Sequence, residues 1–401
     1  MMAKDHLRSL LMPFGQEHVL AFWDELDAAR QDALAAQITS LRLQEIDGLF
    51  RSVTVGENWT ELARRALPPP AVRLHGRQHS ISPQQALDRG QQALAQGHVG
   101  AILVAGGQGT RLGFDFPKGM FPIGPVSGAS LFQMLIEKIV ARSQVSGMRI
   151  PLYLMTSPAT HDPTLEYLRA NENFGLPQDD LKVFCQGTMP AVDAASGRLL
   201  LASKHELALS PDGHGGMLAA LCSSGCLADM RARDLRQLFY CQVDNPLVEM
   251  CGPDFLGYHL LSHAEISTQV VAKRTSRDKV GNVVSIDGKL QIIEYSDLNP
   301  LADEIVERQS ADGTPVFWAG NTAIHVFELT MLERLAHSAT ALPFHVARKA
   351  VSHVEPSGEV IEPATPNAIK FERFIFDLLP AARQAIVVEV DEERAFAPVK
   401  N

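Results

Sequence analysis

Long apolar stretches are missing from this sequence. No segment approaches the roughly 20 consecutive apolar residues that a membrane span requires. The N-terminus, MMAKDHLRSLLMPFGQEHV, also lacks an uninterrupted apolar core followed by a small-residue cleavage site. These absences predict a cytoplasmic protein with no membrane partner.

Positive charge and paired cysteines are also scarce. Lysine and arginine number 36 against 46 aspartates and glutamates, a formal net charge of -10 that argues against nucleic acid as a partner. An anionic substrate then requires basic side chains concentrated at one site. The five cysteines show no CxxC spacing, so the sequence indicates neither a disulfide framework nor a zinc site. Buried free thiols are the favoured interpretation.

What is present is the composition of a globular protein, 46% hydrophobic and 20% charged. Apolar residues recur at helical spacing over 7–66, and the proline-rich stretch 67–83 reads as a linker. A helix over 83–97 then leads into a buried strand over 99–104, which ends in a glycine-rich turn.

Strand and helix patterns alternate along the rest of the chain. Helices are predicted over 131–143 and 162–173. Short aliphatic and β-branched runs predict strands at 150–155, 182–186, 238–243, 268–273, 281–286, 290–294 and 322–327. The alternation favours an α/β domain with a largely parallel sheet, whose ligands lie at the carboxyl ends of the strands.

The glycine-rich turn reads GGQGTRLGFDFPK over 106–118. Glycines let consecutive N–H groups approach phosphate oxygens, while Arg111 and Lys118 add fixed positive charge. The spacing has one residue too many for the dinucleotide fingerprint, and no Gly-Lys-Ser/Thr follows for a P-loop. The turn is therefore predicted to hold a triphosphate.

Together with its continuation, GGQGTRLGFDFPKG resembles the signature of the UDP-N-acetylglucosamine pyrophosphorylases within the wider UDP-sugar pyrophosphorylase group. Eight further blocks follow in the family's order: QGTMPA from residue 186, SPDGHGG from 210, VDNP from 243, VGNVV from 280, EYS from 294, AGN from 319, NAIK from 367 and FAPVKN from 396. The resemblance implies an α/β, Rossmann-like (GT-A-like) nucleotidyltransferase fold with a central mixed sheet, helices on both faces and a helical N-terminal region.

The predicted domains are a helical region and linker over 1–97, a catalytic domain over 98–380 and a tail over 381–401 that returns to the active site. The further C-terminal domain of eukaryotic relatives is expected to be absent, and no oligomeric state is predicted.

The implied activity is uridylyl transfer from UTP to a sugar 1-phosphate, which releases pyrophosphate and leaves a UDP-sugar. Such transfer depends on positioning and charge neutralisation, and it needs no general base because the attacking phosphate is already ionised. Asp244 follows an apolar run, where capping is the commoner role. The resemblance makes it instead the expected ligand of Mg²⁺, an ion usually held by one or two carboxylates plus phosphate oxygens.

The resemblance also assigns the remaining contacts by position. Its catalytic basic residues are Arg111, Lys118, Lys370 and Lys400. Its nucleotide contacts are Val104, Ala105, Gly106, Gly107, Gly109, Thr110, Gln186, Gly213 and Asp244. Its sugar contacts are His214, Gly281, Glu294 and Asn321, while Phe374 and Phe376 either line an N-acetyl pocket or pack in the core.

N-acetylglucosamine 1-phosphate is the first-choice sugar, but His214 stands where the acetamido enzymes usually carry Asn and the UDP-glucose enzymes carry His. Glucose and galactose 1-phosphates therefore stay open as alternatives. A non-catalytic UDP-sugar sensor is disfavoured by the retained basic residues. A glycosyltransferase is disfavoured because VDNP at 243–246 is not an Asp-x-Asp motif.

Overall fold

The computed structural model describes residues 4–52, 58–75, 80–336, 338 and 342–400. The helices are α1 (Lys4–Leu11), α2 (Ala28–Ser40), α3 (Leu43–Ser52), α4 (Trp59–Arg65), α5 (Pro83–Ala95), α6 (Leu131–Ser146), α7 (His161–Ala170), α8 (Met217–Ser223), α9 (Cys226–Ala232), α10 (Pro253–Leu261), α11 (Tyr295–Leu298), α12 (Asp303–Val306), α13 (Leu329–Ala336) and α14 (Glu392–Ala395). None of the helices in this part of the chain has the length and apolar character needed to traverse a bilayer.

The strands are β1 (Ala71–Val72), β2 (Val99–Val104), β3 (Leu152–Thr156), β4 (Leu181–Cys185), β5 (Thr188–Pro190), β6 (Val192–Asp193), β7 (Leu201–Ser203), β8 (Glu206–Leu207), β9 (Leu209–Pro211), β10 (Gln237–Gln242), β11 (Ile266–Ala272), β12 (Asn282–Ile286), β13 (Lys289–Ile293), β14 (Ala319–Glu328), β15 (His345–Lys349), β16 (His353–Val354), β17 (Val360–Ile361), β18 (Ala368–Glu372) and β19 (Ala385–Glu389). The predicted strand over 99–104 coincides with β2, and the other predicted strands overlap observed ones with shifted ends. The sequence patterns did not predict β1, the short strands β5 to β9 or the strands β15 to β19.

Contacts group the chain into two compact units. The smaller unit comprises Met1–Glu57, Gly187–Gly216 and Pro343–Phe374, and the larger comprises Asn58–Gln186, Met217–Leu342 and Ile375–Asn401. Both predicted domain boundaries, after residues 97 and 380, fall inside the larger unit. The grouping differs because it joins segments far apart in sequence, such as β6 and β18, which pair in the smaller unit.

A ten-stranded sheet forms the centre of the larger unit, in the order β1-β19-β11-β14-β10-β2-β3-β4, with β12 and β13 attached through β14. Strands β10, β2, β3 and β4 are parallel, as are β1, β19 and β11. Strand β14 runs antiparallel to both β10 and β11. The start of β14 therefore shares an edge with the carboxyl end of β10, and the sheet is mixed, as the resemblance implied.

Burial of β2 and α6 builds the core beneath this edge. Strand β2 is aliphatic and almost wholly buried, and α6 contributes a buried stripe at helical spacing, from Leu131 and Phe132 to Ile139. Each fully buried side chain of this size contributes roughly 1.5–3 kcal/mol of transfer free energy. The Ser130 hydroxyl caps α6 by accepting the Gln133 N–H at 3.1 Å.

Helix α5 leads directly into β2 and crosses α10 at close range. Ser82 and Gln85 form a capping box at its start. At the crossing, a Cβ on Gly90 would lie 1.7 Å from the Pro253 carbonyl oxygen, and one on Gly257 would lie 1.6 Å from the carbonyl oxygen of Ala86. The two backbones are therefore in direct contact, which only glycine permits here.

The smaller unit combines α1, α2 and α3 with short antiparallel strands. Its three-stranded sheet has the order β15-β18-β6, and β5 pairs with β9, β7 with β8 and β16 with β17. Apolar residues of the helices, such as Leu34 and Ile38, share one core with Val192, Ile369 and Phe371 of the strands. The first part of the predicted helical N-terminal region, residues 4–52, thus belongs to a mixed α/β unit, whereas the region from Asn58 onwards lies in the larger unit.

The cysteines form no disulfide among the described residues, but not all of them are buried. Cys226, Cys241 and Cys251 are buried, whereas Cys185 is half-buried and Cys222 is exposed.

Candidate active site

The glycine-rich loop begins where β2 ends, and hydrogen bonds to the next strand fix its first residues. The Ala105 N–H donates to the Met155 carbonyl at 2.7 Å, and the Ser157 hydroxyl donates to the Gly106 carbonyl at 2.8 Å. Val104, the last residue of β2, pairs with residues of both β3 and β10. The loop therefore leaves the sheet at the edge where the fold prediction places the nucleotide.

Bonds within the loop fold it back on itself. The Lys118 N–H donates to the Gly107 carbonyl at 3.0 Å, and a second bond, of 2.9 Å, joins the Gly109 N–H to the far arm of the loop. Between them, the short 3-10 turn Thr110–Leu112 carries the exposed side chain of Arg111. Closure of the loop brings Lys118 back towards the end of β2.

Gln186 is packed beside the start of this loop. It directly follows β4, its N–H donates to the Thr156 carbonyl at 2.9 Å, and the residue is 7% exposed. A Cβ on Gly106 would lie 3.2 Å from the Gln186 Oε1 atom. The structure thus brings together two residues that the resemblance assigned as nucleotide contacts.

Asp244 and Lys118 meet at the same edge. Asp244 follows β10, after the Val243 N–H has donated to the Val104 carbonyl at 3.0 Å. The Lys118 Nζ atom lies 3.7 Å from Asp244 Oδ2, and the two side chains are only 16% and 18% exposed. They attract each other across a separation longer than a hydrogen bond.

Two more cations act on this pair. Burial lowers the pKa of Lys118; Asp244 opposes that shift, while the charges of Lys400 and Arg111 add to it. Lys118 therefore faces one carboxylate while two further positive charges act on it, in a chain whose formal net charge is -10. This is the local concentration of positive charge that an anionic substrate requires.

Asp244 also suits a divalent cation supplied with a nucleotide. In the described part of the chain, no three His, Cys, Asp or Glu side chains are grouped as ligands for a metal ion. Mg²⁺ keeps several waters and commonly takes one or two carboxylates together with phosphate oxygens. A single carboxylate beside the glycine-rich loop fits that pattern.

The last residues of the larger unit run along this edge. The Val399 N–H donates to the Asp244 carbonyl at 2.8 Å, and Asn245 bonds to the backbone just before it. The sequence assigns Asn245 no catalytic role. Its place next to Asp244 in the VDNP block was the available signal.

Three predicted sugar contacts also lie together in the larger unit. The Asn321 N–H donates to the Gly281 carbonyl at 2.8 Å, and a Cβ on Gly281 would lie 2.9 Å from Glu294 Oε1. Asn321 lies near the start of β14, which runs antiparallel to β10. These residues therefore share the sheet edge with Asp244.

A bulge in β14 shapes this group. The register between β11 and β14 shifts near Ala323, which has a φ of +58°. The Asn321 Oδ1 atom accepts the Ala323 N–H at 3.0 Å, and the Thr322 hydroxyl donates to the Gln269 carbonyl at 2.8 Å. The left-handed backbone, unfavourable for alanine, is thus held by hydrogen bonds beside a predicted sugar contact.

Lys273 is a neighbour that the sequence did not single out. Its ammonium donates to the Ser276 carbonyl at 2.7 Å and to the Asn282 side chain. Burial lowers the pKa of Lys273 to about 8. Because Asn282 begins β12, this lysine helps to fix the strand that follows Gly281.

The smaller unit carries the remaining predicted residues, Gly213, His214 and Lys370. The His214 ring stacks on Phe374 with centroids 5.3 Å apart, and His345 stacks on Phe374 at 4.5 Å. Burial, and then the nearby His345, lower the pKa of His214 to about 4, so its imidazole is neutral at pH 7. Lys370 lies on β18, partly exposed.

Gly213 follows a buried carboxylate. The Asp212 carbonyl accepts the Arg373 N–H at 2.8 Å, and the residue is 7% exposed. The Asp212 Oδ1 atom has no hydrogen-bond partner among the described residues. Burial raises the pKa of Asp212 to about 6, against the opposing charge of Arg373. The other phenylalanine named from the sequence, Phe376, is buried in the larger unit.

Known proteins resemble this chain over nearly its whole length. The family model described as UTP--glucose-1-phosphate uridylyltransferase matches residues 60–401. The chain belongs to this family. As a member of the UTP--glucose-1-phosphate uridylyltransferase family it is a uridylyltransferase, which confirms the enzyme class predicted from the sequence.

Within this family, the similar proteins are those that the motifs indicated. The chain is 36% identical to UDP-N-acetylhexosamine pyrophosphorylase-like protein 1 of Xenopus tropicalis, over 96% of this chain and 78% of that protein. It is 34% identical to UDP-N-acetylglucosamine diphosphorylase 2 of Arabidopsis thaliana, over 98% and 78%. The crystal structure of the uridine diphosphate N-acetylglucosamine pyrophosphorylase from Trypanosoma brucei matches with a TM-score of 0.83 at 25% identity, over 100% of this chain and 82% of that one. The resemblance is confirmed.

Proposed function

We propose that this uridylyltransferase acts on N-acetylglucosamine 1-phosphate, forming UDP-N-acetylglucosamine and pyrophosphate from UTP. The observation that carries the proposal is the approach of Lys118 to Asp244 at the carboxyl edge of the sheet, with the charges of Arg111 and Lys400 acting on Lys118. The names of the similar proteins support the acetamido sugar. A cytoplasmic location stays a prediction of the sequence.

The proposed reaction is an in-line displacement at the α-phosphorus of UTP. An oxygen of the sugar phosphate forms the new bond, and the bond between the α-phosphorus and the bridging oxygen of pyrophosphate breaks. Negative charge develops on the leaving pyrophosphate, where Lys118 and Arg111 stabilise it. Lys400 adds a further positive charge beside Lys118. Lys370 is proposed as a further phosphate contact on the strength of the motif alone.

Recognition of the base rests on Gln186 and the loop. An amide side chain both donates and accepts, as the imide edge of uracil requires. Gln186 is buried beside Gly106, so its amide is already positioned before the nucleotide binds. Gly213 is proposed as a further nucleotide contact from the motif.

Selection of the sugar rests on Glu294, Asn321 and the backbone of Gly281, whose polar groups suit hydroxyl partners. His214 is the residue that pointed towards glucose. Its pKa of about 4 keeps the ring neutral, with one donor and one acceptor. A neutral imidazole offers the same two functions as the asparagine amide of the acetamido enzymes, so His214 is compatible with that class.

Mg²⁺ is proposed as the cofactor, with Asp244 as its protein ligand. Bound together with the nucleotide, the ion would offset phosphate charge and orient the triphosphate. Asp244 would hold that charge at the end of β10, while Lys118 approaches from the loop.

The proposal is tested by measuring pyrophosphate release with UTP and Mg²⁺ in the presence of GlcNAc, GalNAc, glucose or galactose 1-phosphate, with Lys118→Ala as control. We expect turnover of the acetamido sugars, abolished by a chelator and restored by added Mg²⁺. A preference for glucose 1-phosphate would show that His214 marks the specificity. Absence of release with all four sugars would contradict the proposed function.

A further inference from the structure

Asn245 makes a set of hydrogen bonds that the reaction itself does not explain. Its Nδ2 atom donates to the Ala395 carbonyl at 2.8 Å, and its Oδ1 atom accepts the Ala397 N–H at 3.1 Å. The same oxygen accepts the Leu247 N–H at 3.2 Å. One side chain, 3% exposed, therefore holds the backbone on both sides of Phe396.

The adjacent residue holds the next part of the same segment. The Asp244 carbonyl accepts the Val399 N–H at 2.8 Å, and Lys400 follows directly. Residues 244 and 245 thus bind the segment Ala395–Val399 through its backbone at three points. Since the proposed Mg²⁺ ligand is one of these two residues, the segment is tied to the reaction centre itself.

The segment also has attachments of its own. The Phe396 N–H donates to the Glu392 carbonyl at 3.0 Å, and the half-buried Val399 packs against the core of the larger unit. None of the residues from 391 to 400 is fully buried, so apolar burial contributes only modestly to the position of the segment. An ion pair between Arg274 and Glu392 tethers the preceding helix α14 at 3.2 Å, but the two side chains are 77% and 38% exposed. Exposed pairs of this kind stabilise weakly.

Lys400 depends on this attachment. The residue is exposed, and it directly follows Val399, whose N–H is bound to the Asp244 carbonyl at 2.8 Å. A long, flexible lysine on a loosely packed segment reaches a fixed point only if its backbone is held.

We infer that Asn245 is a positioning residue whose side-chain amide latches the segment Ala395–Val399 and thereby holds Lys400 at the phosphates. The inference rests on the proposed function for the role of Lys400, but not for the latch itself. The hydrogen bonds of the Asn245 side chain in the described residues all go to protein backbone, so its assigned action is through Lys400.

The latch is tested first by hydrogen exchange of the Ala397 and Val399 amides in the full chain. Asn245→Ala removes all the side-chain bonds, and exchange at Ala397 is expected to rise at least about tenfold. Asn245→Asp keeps the acceptor oxygen and loses the donor, so an intermediate rise is expected. Arg274→Ala is the matched control, since it cuts only the exposed tether. Unchanged exchange in Asn245→Ala would overturn the latch.

The link to Lys400 is tested by a double-mutant cycle on kcat/KM and on UTP affinity. Asn245→Ala is expected to lower kcat/KM about tenfold when Lys400 is present, and less than about twofold in a Lys400→Ala background. Equal losses in both backgrounds would show a general structural role and overturn the inference. If the unmodified protein releases no pyrophosphate with any sugar, the proposed function fails, whereas UTP affinity and amide exchange still decide the latch.

Discussion

The two ends of strand β10 carry polar clusters of opposite character. At its start, Gln237 Nε2 donates to Glu328 Oε1 at 2.9 Å, and His259 Nε2 lies 3.1 Å from the same oxygen. The other ring nitrogen of His259 lies 2.7 Å from the Ser267 hydroxyl. Each of these groups is paired with another at hydrogen-bond distance.

Beyond the other end, Asp244 and Lys118 stay 3.7 Å apart, and two further cations repel Lys118. Burial alone therefore does not identify a functional cluster, because His259 is more buried than Lys118. In the first cluster the side chains satisfy one another's hydrogen-bonding groups. In the second cluster the basic side chains carry positive charge that a bound phosphate group would neutralise.

The largest effect is expected from a substitution in the cluster of Asp244 and Lys118, beyond the carboxyl end of β10. Lys118→Ala should lower kcat roughly 10²- to 10³-fold, as expected for the removal of one charge-stabilising group. The free energy of unfolding should change by less than about 1 kcal/mol, because no short hydrogen bond is lost. Pyrophosphate release and urea denaturation, measured on one preparation, check both. A loss of stability large enough to unfold the variant would contradict this assignment.

A substitution in the cluster at the start of β10 should lower stability and leave kcat nearly unchanged. His259→Ala leaves a cavity and removes a partner from the buried Ser267 and from the half-buried Glu328, and it should cost about 3 kcal/mol of unfolding free energy. The kcat of the folded protein should stay within about twofold. Urea denaturation and active-site titration separate the two quantities, and a large fall in kcat with intact stability would place the network in the reaction instead.

Asp212 extends the comparison between satisfied and unsatisfied polar groups to the smaller unit. It is a buried carboxylate, and one of its oxygens has no hydrogen-bond partner among the described residues. Its pKa is raised from 3.8 to about 6 in the fold, so the folded protein binds its proton more tightly than the unfolded chain does. Stability from this group is present at low pH and is lost as pH rises through this range, by at most about 3 kcal/mol. Asp212→Asn should therefore stabilise the protein by about 2 kcal/mol at pH 8 and by less at pH 4. A stability gain that is the same at both pH values would contradict this cause.

The smallest effect is expected at the bulge beside Asn321. Ala323→Gly should raise the unfolding free energy by about 1 kcal/mol, since glycine accepts a positive φ without strain. Ala272→Gly, in the extended strand β11, is the matched control and should destabilise by roughly 0.5–1 kcal/mol. Destabilisation by both changes would show that Ala323 is not strained.

Local pattern predicted the parts of the site that are local in the chain. Strand β2 and the glycine-rich loop follow from consecutive residues, and so does the place of Asp244 after β10. The role of Asn245 depends on backbone atoms 150 residues away, and nothing near it in the sequence encodes that contact. The neutral state of His214 likewise follows from burial and from His345, which only the fold brings close.

The fold likewise has elements that nearby residues predict and elements that depend on contacts between distant segments. The long aliphatic runs were predicted, whereas β6 and β8 have two residues each and exist through their pairing. Strand β19 was missed although its sequence, AIVVE, is apolar, because that stretch was interpreted as part of a tail. The grouping into two units depends on contacts between distant segments, which no window of sequence contains.

The crossing of α5 and α10 bears on which variants of this protein can persist. At positions 90 and 257, even the exchange of a hydrogen for a methyl group would drive a carbon into a carbonyl oxygen of the facing helix. Helix α5 leads into β2 and so into the glycine-rich loop. When every possible substitution is tested at positions 90 and 257, none should give an active protein. Inherited changes that abolish activity should occur at this crossing as often as in the glycine-rich loop.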